Sequence, residues 1–326
     1  MIESQPKVSV VIPIYGVESH IERCARSLFE QTLDSIEYIF VNDCTPDRSM
    51  QILSHVLCEY PKRQKQAHII NLPNNVGAAK AREIGIKAST GEYIIHCDSD
   101  DWVEKDMYGV LYQKAKDDNL DVVICDWHDT DGKNHIHIKQ NLDTKMDLIS
   151  GLVDRSISGS LCNKLTASQI CKADDFLFPK AHMMEDVVYS IQFAIKANKI
   201  GYIDYPYYYY YNNPDSICHH SSEQSCLDRA KQAEININDI LFVLDRNNFI
   251  KQYKSEIVKL KNSARVFLWP LVLKKPSKYI KIWKGVYPEI NKIYPITMTI
   301  PIVFRIIFVL TLWHVYPFLH KLINKL

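Results

Sequence analysis

The sequence predicts an α/β fold with a doubly wound, mostly parallel sheet, an α+β half after it and a helical C-terminal extension. Through residues 1–125, short β-branched runs alternate with helical patterns, which is typical of βαβ units covered on both faces. The alternation ends after Asp126, and proline-broken helical segments begin at about Lys251. The chain has 326 residues, 47% of them hydrophobic and 24% charged, a composition that excludes a disordered or fibrous protein.

Five short apolar runs predict the strands of the sheet, because strands buried on both faces are rich in β-branched residues. They are residues 8–14, 37–42, 68–72, 92–97 and 121–125. Helical patterns separate them: residues 21–29 after a capping box at 19–22, a stripe of Met50, Leu53 and Leu57, then 78–88 and 105–118.

The second half has mixed patterns. Residues 144–154 and 185–197 are helical in pattern, whereas residues 201–203 and the tyrosine run 207–211 are extended. Alternating packed and exposed rings would make the tyrosine run an edge strand. From about Cys226 the pattern is helical.

The C-terminal part is strongly basic. Residues 251–326 carry 14 Lys/Arg and two acidic residues, although the formal net charge of the chain is +1. Such a segment indicates an anionic partner surface. Its aromatic residues and the apolar stretch 302–319, interrupted by Arg305, favour a membrane surface over nucleic acid. The alternative is that this stretch packs on the body of the protein or on a second subunit.

The cysteines indicate a reducing compartment. Nine are spread singly without C-x-x-C spacing, so neither a disulfide framework nor a structural zinc site is expected. The N-terminus is too short and polar before its first apolar run for a signal peptide. We therefore expect a cytoplasmic protein, peripheral on the inner face of the membrane.

Polar residues follow the predicted strands, where the carboxyl ends of a parallel sheet form a binding edge. They occupy residues 13–16, 42–47, 74–77 (with Lys80 and Arg82 beyond them) and 98–101. Asp98, Asp100 and Asp101 repel one another unless a cation joins them, which suits Mg²⁺ or Mn²⁺. The alternative is an acidic helix N-terminus, capped by Ser99 or Asp101.

Further candidates each have a plainer alternative. Asp43 can accept the imide N–H of uracil or serve as a turn residue. Glu185 and Asp186 can supply a general base or simply helix-terminus charge. Lys164 can line the same cleft, and His135-x-His137 has metal-like spacing but no third ligand in sequence. G-x-G-x-x-G and P-loop motifs are absent.

Four blocks in order, VSVVIPIYG, VNDCTPDRS, NNVGAAKAREIG and GEYIIHCDSDDW, resemble the nucleotide-sugar-binding half of family 2 glycosyltransferases, which have the GT-A fold. The resemblance continues more weakly through CNKL, FPKAHMMEDVVYS and YYYYYNNPDSI, and covers about residues 1–220. It implies a GT-A domain over 1–225, with a nucleotide-sugar-binding half (1–125) and an acceptor half (126–225). Residues 226–326 then form the helical, basic, membrane-associating region.

The resemblance also implies roles for individual residues. Asp43 matches the aspartate that reads uracil, Asp98 the first aspartate of the D-x-D motif, Asp100 its metal ligand and Asp186 the catalytic base. The remaining residues expected at the nucleotide-sugar are Pro13, Tyr15, Asn75, Gly77, Lys80, Arg82 and Ser99, with Asp101, Lys164 and Glu185 as acceptor or unassigned residues. Gly16 and Asn212 depart from the family pattern, where Asn and Arg are usual.

The expected activity is inverting transfer of a hexosyl or N-acetylhexosaminyl group. A nucleotide-sugar, expected to be a UDP-sugar, donates to a hydroxyl of a glycan or lipid-linked acceptor, with Mn²⁺ or Mg²⁺, in cell-surface polysaccharide synthesis. Alternatives are a sugar-nucleotide nucleotidyltransferase, which would need a Gly-rich basic phosphate loop, and a non-catalytic membrane-tethered protein of the same fold.

Overall fold

The computed structural model describes residues 5–140, 142–213 and 222–292. The strands are β1 (Val8–Ile14), β2 (Ile36–Asn42), β3 (Ala67–Asn71), β4 (Tyr93–His96), β5 (Trp102–Val103), β6 (Val122–Thr130), β7 (His135–Ile138), β8 (Lys164–Ala167) and β9 (Ile200–Tyr211). The helices are α1 (Ile21–Phe29), α2 (Ser49–Cys58), α3 (Pro61–Gln64), α4 (Ala78–Ala88), α5 (Met107–Asp117), α6 (Lys145–Asp154), α7 (Ser168–Cys171), α8 (Glu185–Lys196), α9 (Glu223–Arg246), α10 (Lys254–Val266), α11 (Trp269–Lys274) and α12 (Pro276–Gly285).

The strands form one nine-stranded sheet in the order β3-β2-β1-β4-β8-β6-β9-β5, with β7 paired to β6. The first four strands in this order are parallel, β8 is antiparallel to both of its neighbours, and β9 runs parallel to β6. The carboxyl ends of β1, β2 and β4 therefore meet at one edge, which is where the predicted donor site lies.

Each face of the sheet is covered by its own apolar core. One core joins the sheet to α1, α2 and α5 and includes Phe40, Leu28 and Leu111. The other packs α4, α6 and α8 on the opposite face and continues without a break into the C-terminal helices, through Ile237 and Trp283. This layered arrangement is the doubly wound α/β fold that the sequence predicts.

The predicted strands and helices of the first half are confirmed within one or two residues, and β6 extends beyond its prediction to Thr130. Two details are wrong. Helix α1 begins after His20 without a side-chain cap, so the predicted capping box does not form. The tyrosine run is no edge strand, because β9 pairs with β6 on one side and with β5 on the other.

The C-terminal helices within residues 222–292 pack on the rest of the chain. Helix α9 lies against α8, and α10 lies against α6, with Leu260 and Val272 fully buried between them. No helix in the described ranges is long and apolar enough to cross a bilayer. The stretch 302–319 lies outside the described residues, and the boundary at residue 225 stays a prediction.

Candidate functional site

The loop after β1 forms one side of the site. Tyr15 is half exposed there, and the Gly16 amide donates to the Thr45 hydroxyl at 2.8 Å. Gly16 has φ +66° with open space around its α-carbon. Glycine and asparagine tolerate this left-handed conformation better than other residues, so the Asn of the family pattern could adopt the same backbone conformation.

Asp43 follows β2 and is 2% exposed. Its two carboxylate oxygens accept the backbone amides of Val76 and Gly77 at 2.7 and 2.8 Å. The Asn75 side chain donates to the Asp43 carbonyl at 3.3 Å. Asp43 therefore holds the loop that starts α4, and each carboxylate oxygen keeps a second lone pair for another donor.

Arg82 joins the two halves of the chain. Its guanidinium donates to Asp98 at 2.7 Å and to Glu185 at 2.8 Å, and the Arg82 side chain is only 10% exposed. Burial opposes ionisation of Asp98, but Arg82 outweighs it and lowers the pKa of that carboxyl. Burial and the neighbouring Asp186 raise the pKa of Glu185 against the pull of Arg82.

Asp100 differs from its neighbours because, among the described residues, its carboxylate accepts one long hydrogen bond, from the Asn213 amide at 3.4 Å. Burial and the charge of Asp98 raise the pKa of Asp100, as expected of a buried carboxylate close to another. The oxygens of Asp98 and Asp100 are the donors that Mg²⁺ and Mn²⁺ prefer, so these residues fit the expected metal.

Asp101 is tied into the fold. It is 1% exposed and accepts the Tyr208 hydroxyl and the Tyr211 amide at 2.5 and 2.7 Å. The Tyr208 oxygen also accepts the Asp98 amide at 3.2 Å. The chain next forms β5, and α5 begins only at Met107, so the alternative of an acidic helix N-terminus is wrong.

Asp186 lies in the first turn of α8, half-buried, and accepts the Val187 amide at 2.9 Å. Gly159 packs against it, because a β-carbon at Gly159 would lie 2.8 Å from an Asp186 carboxylate oxygen. Met184, which precedes the helix, has φ +66° and no side-chain cap. A non-glycine residue in this region costs about 1–3 kcal/mol, so it persists only where the surrounding structure imposes it.

The two predicted lysines differ. Lys164 is buried and donates to the Ser158 and Ser160 carbonyls at 2.9 and 2.6 Å and to Asn163 at 3.0 Å. Burial, opposed by the negative charge of Asp186, lowers the Lys164 pKa to about 8. Lys80 is exposed and pairs with Glu83 on its own helix at 2.8 Å. The structure therefore does not bring Lys80 to the acidic run 98–101.

The sequence assigns no role to residues 180–184, the segment that leads into α8, although the weaker part of the resemblance covers them. The His182 ring lies directly against Gly77, where an added β-carbon would come within 1.9 Å of it. Gly77 is the residue whose amide holds Asp43. The segment 180–184 thus contacts the donor-side loop, and no local sequence pattern marks a contact between residues so distant in the chain.

The sequence shows no third ligand for His135-x-His137, whereas the structure brings two carboxylates close to His137 but does not include His135 in the group. Asp126, His137 and Asp204 bring one ligand atom each within 4.8 Å of the others. However, the Asp126 carboxylate accepts hydrogen bonds from the Tyr202 hydroxyl, the Gln140 amide and the His137 ring. The Lys139 ammonium donates to both carboxylate oxygens of Asp204. These carboxylates already have protein donors, and we assign the cluster a structural role in the β6–β7 hairpin.

Known proteins resemble this chain in sequence. The model described as "Glycosyl transferase family 2" matches residues 9–160. The putative glycosyltransferase EpsH of Bacillus subtilis is 30% identical over 261 residues, covering 77% of this chain and 73% of EpsH. The glycosyltransferase EpsJ of the same bacterium is 30% identical over 221 residues, covering 65% of this chain, and this chain spans 63% of the length of EpsJ.

A solved structure resembles the fold over nearly the whole chain. TarS 1–349 of S. aureus, in complex with UDP-GlcNAc, matches with a TM-score of 0.71 and 18% identity, covering 98% of this chain and 92% of that one. At this identity the likeness shows the fold alone. It confirms the GT-A fold that the resemblance implies.

Proposed function

Because the chain belongs to glycosyltransferase family 2, we propose that it transfers a sugar from a UDP-sugar to a hydroxyl of a glycan or lipid-linked acceptor. The observation that carries the proposal is the Arg82 bridge, which ties Asp98 at the donor edge to Glu185 beside Asp186. The acidic residues proposed for the donor and the carboxylate proposed as the base therefore lie on either side of one arginine, as group transfer with a separate base requires.

On the donor side, Asp43 binds uracil through its remaining lone pairs, and Pro13, Tyr15, Asn75, Gly77 and Ser99 surround the nucleotide. UDP-GlcNAc in the complex with TarS supports this donor class. Asp100 would hold Mn²⁺ or Mg²⁺, with Asp98 beside it near the ribose. A bound ion would supply positive charge for the diphosphate leaving group.

On the acceptor side, Asp186 takes the proton from the attacking hydroxyl. Its carboxylate is half-buried and retains lone pairs beyond its contact with the Val187 amide. Attack opposite the leaving diphosphate inverts the anomeric centre, so an α-linked donor gives a β-linked product. Lys164 donates to the carbonyls on both sides of Gly159, those of Ser158 and Ser160, and so holds the loop against which Asp186 packs.

We also place the protein in cell-surface polysaccharide synthesis, on the cytoplasmic side of a membrane. The exposed face of α12 and the end of α11 carry Lys274, Lys275, Lys278 and Lys281 beside the exposed Ile282. Basic and apolar side chains on one helix face suit an anionic lipid surface. Two relatives, EpsH and EpsJ of Bacillus subtilis, are named as a putative and an uncharacterized glycosyltransferase.

The test is release of UDP from UDP-glucose, UDP-galactose, UDP-N-acetylglucosamine and UDP-N-acetylgalactosamine, with Mn²⁺ and with EDTA. We expect metal-stimulated release from one or two of the four donors, which distinguishes hexosyl from N-acetylhexosaminyl transfer. Pyrophosphate-dependent formation of UTP instead would indicate a nucleotidyltransferase. Absence of UDP release and of metal-dependent UDP binding would indicate a non-catalytic protein.

A further inference from the structure

One face of α9 lies along segment 180–184, which leads into the pair Glu185 and Asp186. Three residues of α9 make the contacts, and their spacing of four and three residues puts them on the same side of the helix. Gln232 accepts the His182 amide at 3.3 Å, and Asp239 pairs with Lys180 at 2.9 Å. Asn236 lies between them.

Asn236 is fully buried and makes the closest set of contacts. Its side-chain amide donates to the carbonyls of Ala181 and Met183, both at 2.8 Å. Its side-chain oxygen accepts the Ala181 amide at 3.3 Å. One side chain therefore satisfies three backbone groups of the segment, a role that needs both a donor and an acceptor.

We infer that Asn236 is a positioning residue for Asp186, an inference that rests on the proposed function of Asp186 as the base. The last residue before α8, Met184, is in the left-handed region and has no side-chain cap. The direction in which α8 leaves the segment is thus set by what holds residues 181–183. Asn236 supplies that hold from a helix some 50 residues away in sequence.

The opposite side of the same segment contacts the donor loop. The His182 ring lies on Gly77, and the Gly77 amide donates to Asp43 at 2.8 Å. Asn236 therefore fixes the base relative to the residues proposed to bind the nucleotide. A displacement of about 1 Å between reacting groups lowers a rate by up to roughly 10²-fold.

The test is Asn236→Ala in the full chain, with Asn238→Ala as the matched control. Asn238 is exposed on the same helix, and its partner Tyr287 keeps a second acceptor in the Glu234 carbonyl. Both changes alter helix propensity equally. We expect Asn236→Ala to lower kcat for UDP release about 10- to 100-fold, with UDP affinity in Mn²⁺ and KM for the donor unchanged, and Asn238→Ala to match wild type.

A double-mutant cycle separates positioning from loss of stability. If Asn236 acts through Asp186, Asn236→Ala has little further effect on kcat in an Asp186→Asn background, because coupled residues are not additive. An equal loss in both backgrounds, or no loss in the single variant, overturns the inference. Full activity of Asp186→Asn alone would instead overturn the proposed base.

A second variant is used if Asn236→Ala does not fold, as measured by its melting transition. Gln232→Ala removes the acceptor of the His182 amide from a partly exposed position. We expect a smaller loss of kcat, about 2- to 10-fold for one weakened hydrogen bond, that likewise disappears in the Asp186→Asn background. Unchanged kcat for a folded Gln232→Ala, or an equal loss in both backgrounds, overturns the inference.

Discussion

The acidic run after β4 and the acidic pair at the start of α8 come from different halves of the chain and share one arginine. In each, Arg82 holds one carboxylate, Asp98 or Glu185. A second, Asp100 or Asp186, keeps lone pairs for other partners. The supports of the two regions differ. The first is anchored inside the sheet by Tyr208, whereas the second is anchored from outside it by α9.

This difference shows that the two regions depend on different parts of the chain for their support. The end of β4 is fixed by pairing with β1 and β8, as in any open α/β sheet. The start of α8 depends on residues 232–239, which the sequence resemblance does not cover. The catalytic half of the proposed site is therefore completed by the C-terminal helices.

The largest expected effect tests the second region. Asp186→Asn removes the proposed base and should lower UDP release by about 10²- to 10⁴-fold, the range for one general base. UDP affinity in Mn²⁺, measured by calorimetry, should stay the same because the nucleotide contacts lie in the other half. Asp174→Asn, at an exposed position of the acceptor half, is the control. Near-normal activity of Asp186→Asn would reassign the base to Glu185 or another cleft residue.

The corresponding change in the first region is Asp100→Ala. It should abolish the difference in UDP affinity between Mn²⁺ and EDTA and lower UDP release by about 10²- to 10³-fold, as loss of one electrostatic stabiliser does. The melting temperature should hardly change, because Asp100 makes few contacts with the fold. Metal-independent UDP binding and turnover by the wild-type protein would disprove the metal site.

A smaller effect, on stability alone, is expected at the anchor of the first region. Tyr208→Phe removes the hydroxyl that donates to Asp101 and accepts the Asp98 amide. The free energy of unfolding should fall by about 1–3 kcal/mol, because buried polar groups lose their partner. Tyr205→Phe, at an exposed position of the same strand, should change it by less than about 0.5 kcal/mol. Equal losses of unfolding free energy in the two variants would contradict the anchoring role of Tyr208.

The smallest effect concerns the outer face of the C-terminal helices. Replacing Lys274, Lys275 and Lys281 together by Glu should weaken flotation with anionic vesicles, since each basic residue near such a surface contributes about 1 kcal/mol. Binding should weaken with salt and be low on neutral vesicles.

A chain truncated after Lys292 serves as a second comparison. Truncation after Ile250 is unsuitable because α10 and α12 share the core of the body. Equal flotation of all three proteins would reject the membrane surface.

The sequence predicts much of the first region because its carboxylates directly follow predicted strands, although the Tyr208 contacts that anchor them span 107 and 110 residues and are not predicted. The run 92–97 ends in the acidic residues, and parallel strands bring Asp43 and Asp98 to one edge wherever such a sheet forms. The four-block resemblance adds their expected roles. The structure brings Asp43, Asn75 and Gly77 together and joins Arg82 to Asp98.

The second region is predicted only in part, because its determinants are long-range. The helix at Glu185 follows from its pattern, but the contact of Arg82 with Glu185 spans 103 residues. The contacts of Asn236 span 53 and 55 residues, and an asparagine within a helix carries no local signal of a buried role. Similarly, β8 enters the sheet antiparallel between β4 and β6, an order that periodicity cannot give.

The contact of Gly77 with His182 has a consequence for anyone interpreting genetic variants of this chain. A substitution at Gly77 would be scored as a defect in the donor loop, since it lies in the nucleotide-binding block. However, φ is +82° there and the space for a β-carbon is already filled by the His182 ring. The first residue that a new side chain would displace is thus His182, in the half proposed to bind the acceptor, so the resulting phenotype would report on both sides of the proposed site at once.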